Sequence, residues 1–142
     1  MIPEFRDDGY LPIGLHPATE AEVSFRFGTA TRQRQRLTLR LRRWLVLARC
    51  VNAKRFLVDG SFVTAKRNPV DVDAVIWIPS DFATQLQRGN IDAIELDSML
   101  VTRRPEELFA AEDGRDWDDW VNFFIRTREF DERRKGIVEI LL

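Results

Sequence analysis

The sequence predicts a single α+β domain of α/β-like character, residues 1–142, with a small mixed β-sheet flanked by helices. Three observations predict it. The chain has 142 residues, the length of one domain. Residues 31–51 carry apolar side chains at helical spacing. Short runs rich in Val, Ile and aromatic residues, closed by Gly or Pro, alternate with helical segments.

Residues 1–17 contain Pro3, Gly9, Pro12, Gly14 and Pro17 without any period, so an irregular arm is expected there. With the short helix that follows, it makes an N-terminal segment over 1–30. Thr19 stands three residues before Glu22, the spacing of a capping box, which predicts a helix at 19–27 stopped by Gly28. In the 31–51 helix Leu37, Leu41, Trp44, Leu45 and Ala48 recur at steps of three and four. Phe56-Leu57-Val58-Asp59 reads as a strand ended by Gly60-Ser61, and residues 71–78 as a buried strand closed by Pro79. A short helix is expected at 81–88, with Ser80 as its N-cap and Gly89-Asn90 as its end. Residues 91–102 read as helical on Ile91, Ile94, Leu96 and Met99. Pro105 sets a boundary, and residues 106–111 read as a third strand around Phe109, Ala110 and Ala111. Trp117, Trp120, Val121, Phe124 and Ile125 share one face of a helix over 117–127. Residues 137–142 close the chain as a strand.

Composition excludes several classes of function. With 44% apolar and 32% charged residues the chain is that of a folded globular protein. It has no run of eighteen apolar residues, so no transmembrane helix is expected. The N-terminus carries acids and prolines, so no signal peptide and a cytoplasmic location are expected. A single cysteine, Cys50, excludes an internal disulfide, and a single histidine, His16, excludes any site needing two. Ser61 as a hydrolase nucleophile would lack its base. His16 reads as a pin for the N-terminal segment or as a pocket-lining residue. Cys50 reads as a buried small hydrophobe, and Trp117 and Trp120 as core.

The net charge of −1 hides an asymmetry. Residues 1–70 hold 13 Lys and Arg against 6 Asp and Glu, whereas residues 71–142 hold 9 against 17. Arg32, Arg36, Arg40 and Arg43 form one stripe on the long helix. The stripe is either a solvated face or a basic surface for a partner protein or RNA, and the acidic second half is itself a candidate partner.

The unusual segment is 60–76, where Gly60-Ser61 is followed after nine residues by Asp71-Val72-Asp73 opening an apolar strand. Ionised carboxylates rarely start a buried strand without a partner. In a strand, residues i and i+2 point the same way, with Cα atoms roughly 6.5 Å apart. Two carboxylates so placed suit hard divalent cations. Gly60-Ser61 at a strand end offers backbone N–H groups, a hydroxyl and close approach for a phosphate.

Gly60-Ser61 followed by Asp71-Val72-Asp73 resembles the signature of the nucleotidyltransferase fold of the DNA polymerase beta superfamily, and its minimal nucleotidyltransferases in particular. The resemblance is wider to one bacterial branch. It takes in residues 11–19 (Leu-Pro-x-Gly-x-His-Pro-Ala-Thr), 26–28 (Arg-Phe-Gly), 59–64 (Asp-Gly-Ser-Phe-Val-Thr) and 135–138 (Lys-Gly-Ile-Val), nearly the whole chain. The resemblance implies that Gly60 and Ser61 grip the terminal phosphates of a nucleoside triphosphate. It implies that Asp71 and Asp73 hold Mg²⁺ or Mn²⁺, so that catalysis is positioning and charge neutralisation at the α-phosphate with pyrophosphate leaving. Lys66 and Arg67 either touch the triphosphate or are solvated loop cations. Active relatives carry a third carboxylate on a later strand; Glu107 is the first candidate, Glu112 the second and Asp97 the third. The implied reaction moves a nucleoside monophosphate to a hydroxyl of a protein, RNA or small molecule, with a partner bringing the acceptor, as in a toxin–antitoxin or defence setting. The alternative is a catalytically inactive binding module on the same fold, antitoxin-like or regulatory, working through the arginine stripe.

Overall fold

Alternation along the strands divides the apolar residues between two layers. In 55–59, Phe56 and Val58 belong to one core cluster and Leu57 to the other; in 73–77, Ala74 and Ile76 are separated from Val75 in the same way. The computed structural model describes residues 1–102, 107–127, 129, 131 and 133–142. Among them are five strands, β1 (Gly14–Ala18), β2 (Arg55–Asp59), β3 (Asp73–Trp77), β4 (Leu108–Ala111) and β5 (Gly136–Ile140), and five α-helices, α1 (Glu20–Phe27), α2 (Arg32–Cys50), α3 (Phe82–Gln87), α4 (Ile91–Thr102) and α5 (Gly114–Phe124). The strands form one mixed sheet in the order β1-β5-β2-β3-β4. The outer pairs β1–β5 and β3–β4 are parallel, and β2 runs antiparallel to both β3 and β5. The chain is therefore of mixed α+β class, as the sequence predicts.

Helices α1 to α4 cover one face of the sheet. Their buried Val23, Phe27, Leu41, Trp44, Phe82 and Leu96 pack with Phe56, Ile76 and Val138. Helix α5 covers the other face, with Trp117 and Phe124 over Leu57, Val75 and Ile137. Trp44 and Trp117 are among the largest fully buried side chains, and truncating either to Ala costs about 3–5 kcal/mol.

Local chemistry sets most boundaries. Thr19 and Glu22 form the predicted capping box, and Gly28 ends α1. The Thr31 hydroxyl accepts from Arg34 N at 3.2 Å to start α2. The expected N-cap of α3 is corrected: Asp81, not Ser80, stands at the cap, and its side chain makes no capping bond. Helix α5 starts three residues before Trp117, because the Asp113 carboxylate accepts from Asp116 N at 2.8 Å. Glu106 of the expected third strand, and Pro105 before it, lie outside the described residues.

Three further expectations change. The arm at 1–17 is not wholly irregular: 14–18 pair in parallel with β5 as an edge strand, a place that tolerates Pro17. His16 Nε2 lies 2.6 Å from Pro12 O, which ties down the segment leading into that strand. Cys50 is exposed rather than buried, because Leu47, Ala48 and Val51 take the inward positions of that turn. Trp117 is core, whereas Trp120 is half-buried and donates its Nε1–H to Ala110 O at 3.2 Å. No helix among the described residues is long and apolar enough to cross a membrane.

Candidate functional site

Asp59 and Asp73 are register partners at the adjoining ends of β2 and β3. By alternation they share the face of Leu57 and Val75, the face covered by α5. The chain then turns at Gly60, whose φ is +88°. A Cβ there would meet Asp71 O at 3.0 Å and Asp73 N at 3.1 Å, so the turn needs glycine for its φ and for the close backbone passage. Ser61 follows in a single 3₁₀ turn, Ser61–Val63. Its N–H donates to Asp71 Oδ1 at 2.8 Å, and its hydroxyl donates to the same oxygen. Val70 N and Asp71 N donate to Ser61 Oγ at 3.0 and 3.2 Å. Asp71 therefore does not open the strand as expected, since β3 begins at Asp73. Ser61, rather than strand alternation, holds the Asp71 carboxylate in place.

Glu107 enters from the far side of β3. Its carbonyl accepts from Ala74 N at 3.0 Å where β4 begins to pair. Its φ is +79°, a conformation that costs a non-glycine residue on the order of 1–3 kcal/mol. Carboxylate oxygens of Asp71, Asp73 and Glu107 all lie within 4.8 Å of one another. The other candidate third carboxylates, Glu112 and Asp97, are not in the cluster.

The cluster is short of positive charge. Asp73 is 7% exposed, and burial, then the hydrogen bond and charge of Glu107, then Asp71 and Asp59, push its pKa up to about 8. Asp59 is pushed up to about 6 by burial, against the pull of Lys135, whose Nζ donates to Asp59 Oδ1 at 2.6 Å. Among the described residues no Lys or Arg pairs with Asp71, Asp73 or Glu107. Hard oxygen donors at this spacing, with one group kept protonated for want of a counter-charge, fit a divalent cation such as Mg²⁺ or Mn²⁺.

A cavity of about 480 Å³ opens beside the cluster. Gly60, Ser61 and Asp71 form one wall, and Lys135, Phe123 and Arg126 stand among the others. Lys66 and Arg67 do not line it. They line a second cleft of about 290 Å³, with Phe5, Arg26 and Arg34, and Thr64 borders both spaces. Arg34 has no place in the sequence reading, and Lys135 enters it only within the 135–138 match, with no role in a site. Arg34 lies three residues before Leu37 and seven before Leu41, so helical spacing already puts it on the apolar face. Lys135 lies two residues before Ile137 and so shares the α5 face of the sheet.

The arginine stripe is in part paired within the fold. Arg32 and Arg36 are exposed, whereas Arg43 makes a two-pronged ion pair with Glu95 of α4, from the acidic half of the chain.

A family model matches residues 3–141. The chain belongs to DUF6932. It is described as a family of unknown function. The DUF6932 match takes in the Gly60-Ser61 turn, all three clustered carboxylates and both edge strands of the sheet. No curated protein and no solved structure matches the chain.

Proposed function

We propose that this DUF6932 chain is a Mg²⁺- or Mn²⁺-dependent nucleotidyltransferase of the nucleotidyltransferase fold. One observation carries the reading: Asp71, Asp73 and Glu107 bring their oxygens within 4.8 Å of one another, and Asp71 lines a cavity of about 480 Å³. Two strands joined through a Gly-Ser turn and an Asp-x-Asp, with a third strand parallel to the second delivering the last carboxylate, support the fold.

The acceptor's hydroxyl oxygen attacks the α-phosphorus of a nucleoside triphosphate. An O–P bond forms, the α–β phosphoanhydride bond breaks, and its electron pair leaves with pyrophosphate. The hydroxyl proton passes to solvent. A bound divalent cation supplies neutralisation of the phosphate charge. Asp71, Asp73 and Glu107 hold it. Gly60 holds the tight turn beside the cavity, and Lys135, paired with Asp59, lines the space that takes the triphosphate. Ser61 acts through Asp71, because its N–H and hydroxyl are both committed to that carboxylate. The acceptor is a protein, RNA or small-molecule hydroxyl brought by a partner, for which the exposed Arg32 and Arg36 and the half-buried Arg40 offer a surface. A cytoplasmic toxin–antitoxin or defence setting belongs to this reading.

The commitment of the Ser61 donors to Asp71 favours a second reading, an inactive module that keeps the fold and the pocket. One experiment separates the two. The chain is incubated with each labelled nucleoside triphosphate, Mg²⁺ and cell extract, beside Asp71→Ala/Asp73→Ala. Label transferred by the wild type alone supports the enzyme. Equal transfer by both, or none by either, removes it.

A further inference from the structure

We infer that the cleft between Phe5 and the 64–67 loop is a phosphate-binding site, separate from the cavity beside the carboxylate cluster. Arg26, Arg34, Lys66 and Arg67 line it, and among the described residues no acidic side chain does. Arg34 is 5% exposed, and its guanidinium meets only neutral oxygens. It donates to Phe27 O at 3.1 Å, Phe62 O at 2.7 Å, Thr64 O at 2.7 Å and Lys66 O at 2.5 Å. Carbonyls satisfy its hydrogens without cancelling its charge. Arg26 is met in the same way, by Ile2 O at 3.3 Å and Pro3 O at 2.9 Å, with its guanidinium 4.7 Å from the Phe5 ring centre.

The loop that carries the other two cations is fastened to the start of α2. The Thr31 hydroxyl donates to Arg67 O at 3.3 Å, and Gln33 Nε2 donates to Pro69 O at 3.0 Å. Lys66 and Arg67 are exposed on this held backbone, and neither side chain has a partner among the described residues. The first turn of α2 has no acidic residue, so the positive end of its dipole adds to the same corner. One buried and one half-buried charge without counter-ions, two free cations and a helix N-terminus around about 290 Å³ call for a compact, multiply charged anion. Phosphate is the biological anion of that size and charge, and Lys and Arg are its usual protein donors. It arrives either on a small polyphosphate or in the backbone of a nucleic acid.

The test uses the full chain in EDTA, so it stands apart from the metal-centred reading. Pyrophosphate and a single-stranded 12-nucleotide RNA are titrated separately by calorimetry into wild type, Lys66→Ala/Arg67→Ala and Asp71→Ala. The expected result is binding of at least one probe, weakened about tenfold or more by the double substitution and not by Asp71→Ala. Tighter binding of RNA with a steep salt dependence assigns the phosphate to a nucleic-acid backbone; similar binding of both probes assigns it to a small polyphosphate. Protection of Lys66 from acetylation by either probe gives the same reading in the unaltered chain, should the double variant melt early. Failure of both probes to bind, equal binding by wild type and the double variant, or equal weakening by Asp71→Ala would overturn the inference.

Discussion

The 60–71 loop joins a cluster of carboxylates to a cleft lined by cations, and each meets its charge differently. On the acidic side Asp59, Asp71, Asp73 and Glu107 crowd together with Lys135 as counter-ion to one of them, and Asp73 holds a proton. On the basic side Arg34 is as deeply buried, but a guanidinium does not give up its proton, so four carbonyl dipoles surround it instead. The charge of the acidic side therefore changes with pH, whereas that of the basic side is fixed.

The largest effect that would sharpen this contrast is on transfer. Asp71→Ala/Asp73→Ala should lower label transfer by more than about 10³-fold while leaving the fold intact, checked by circular dichroism. Next comes the basic side. Arg34→Met should cost about 3–5 kcal/mol in urea unfolding, because buried carbonyls lose their donors and the loop loses its tie to α2. A loss below about 1 kcal/mol would mean that those carbonyls find water, and the contrast would break.

Asp73 supplies the pH test. Its pKa is raised from 3.8 to about 8, so the folded chain binds more protons than the unfolded one between those values. Without metal, the contribution of Asp73 to stability is full below about pH 4 and is lost as pH rises through about 8. Asp73→Asn should flatten that fall and raise stability at pH 9 by on the order of 1–3 kcal/mol, a rise of roughly 3–9 °C in melting temperature. Mg²⁺ at about 100 times its Kd should add about 2.7 kcal/mol to the wild type and nothing to this variant. An equal metal shift in both would remove Asp73 from the metal site. The smallest effect belongs to the surface: a double-mutant cycle on Arg43 and Glu95 should give less than about 0.5 kcal/mol of coupling, because both side chains are solvated.

Much of the acidic side was legible in the sequence. Gly60, Ser61, Asp71 and Asp73 lie within fourteen consecutive residues, so one turn and one strand bring them near each other. The long helix was legible too, because its apolar period has nineteen residues over which to repeat. The first strand was not: 14–18 contain Gly, His and Pro, and only the parallel partner β5 makes them a strand. Arg34 stayed hidden among eight arginines and lysines between residues 32 and 54, although its spacing from Leu37 and Leu41 marks it as inward.

By itself the sequence determined the helices, the central strands and the chemistry of the 60–76 segment, since each depends on neighbours a few residues away. Tertiary structure decided which distant residues join that segment. The parallel pairing of β4 on β3, with the positive φ of its flanking residue, delivers Glu107 to the cluster. The pairing of β5 on β2 brings Lys135 to Asp59 across 76 residues of chain. The path of the 64–67 loop over the start of α2 sends Lys66 and Arg67 to the basic cleft rather than to the carboxylates. Those choices follow from strand order, backbone angle and the routing of one loop, which periodicity and local spacing do not encode.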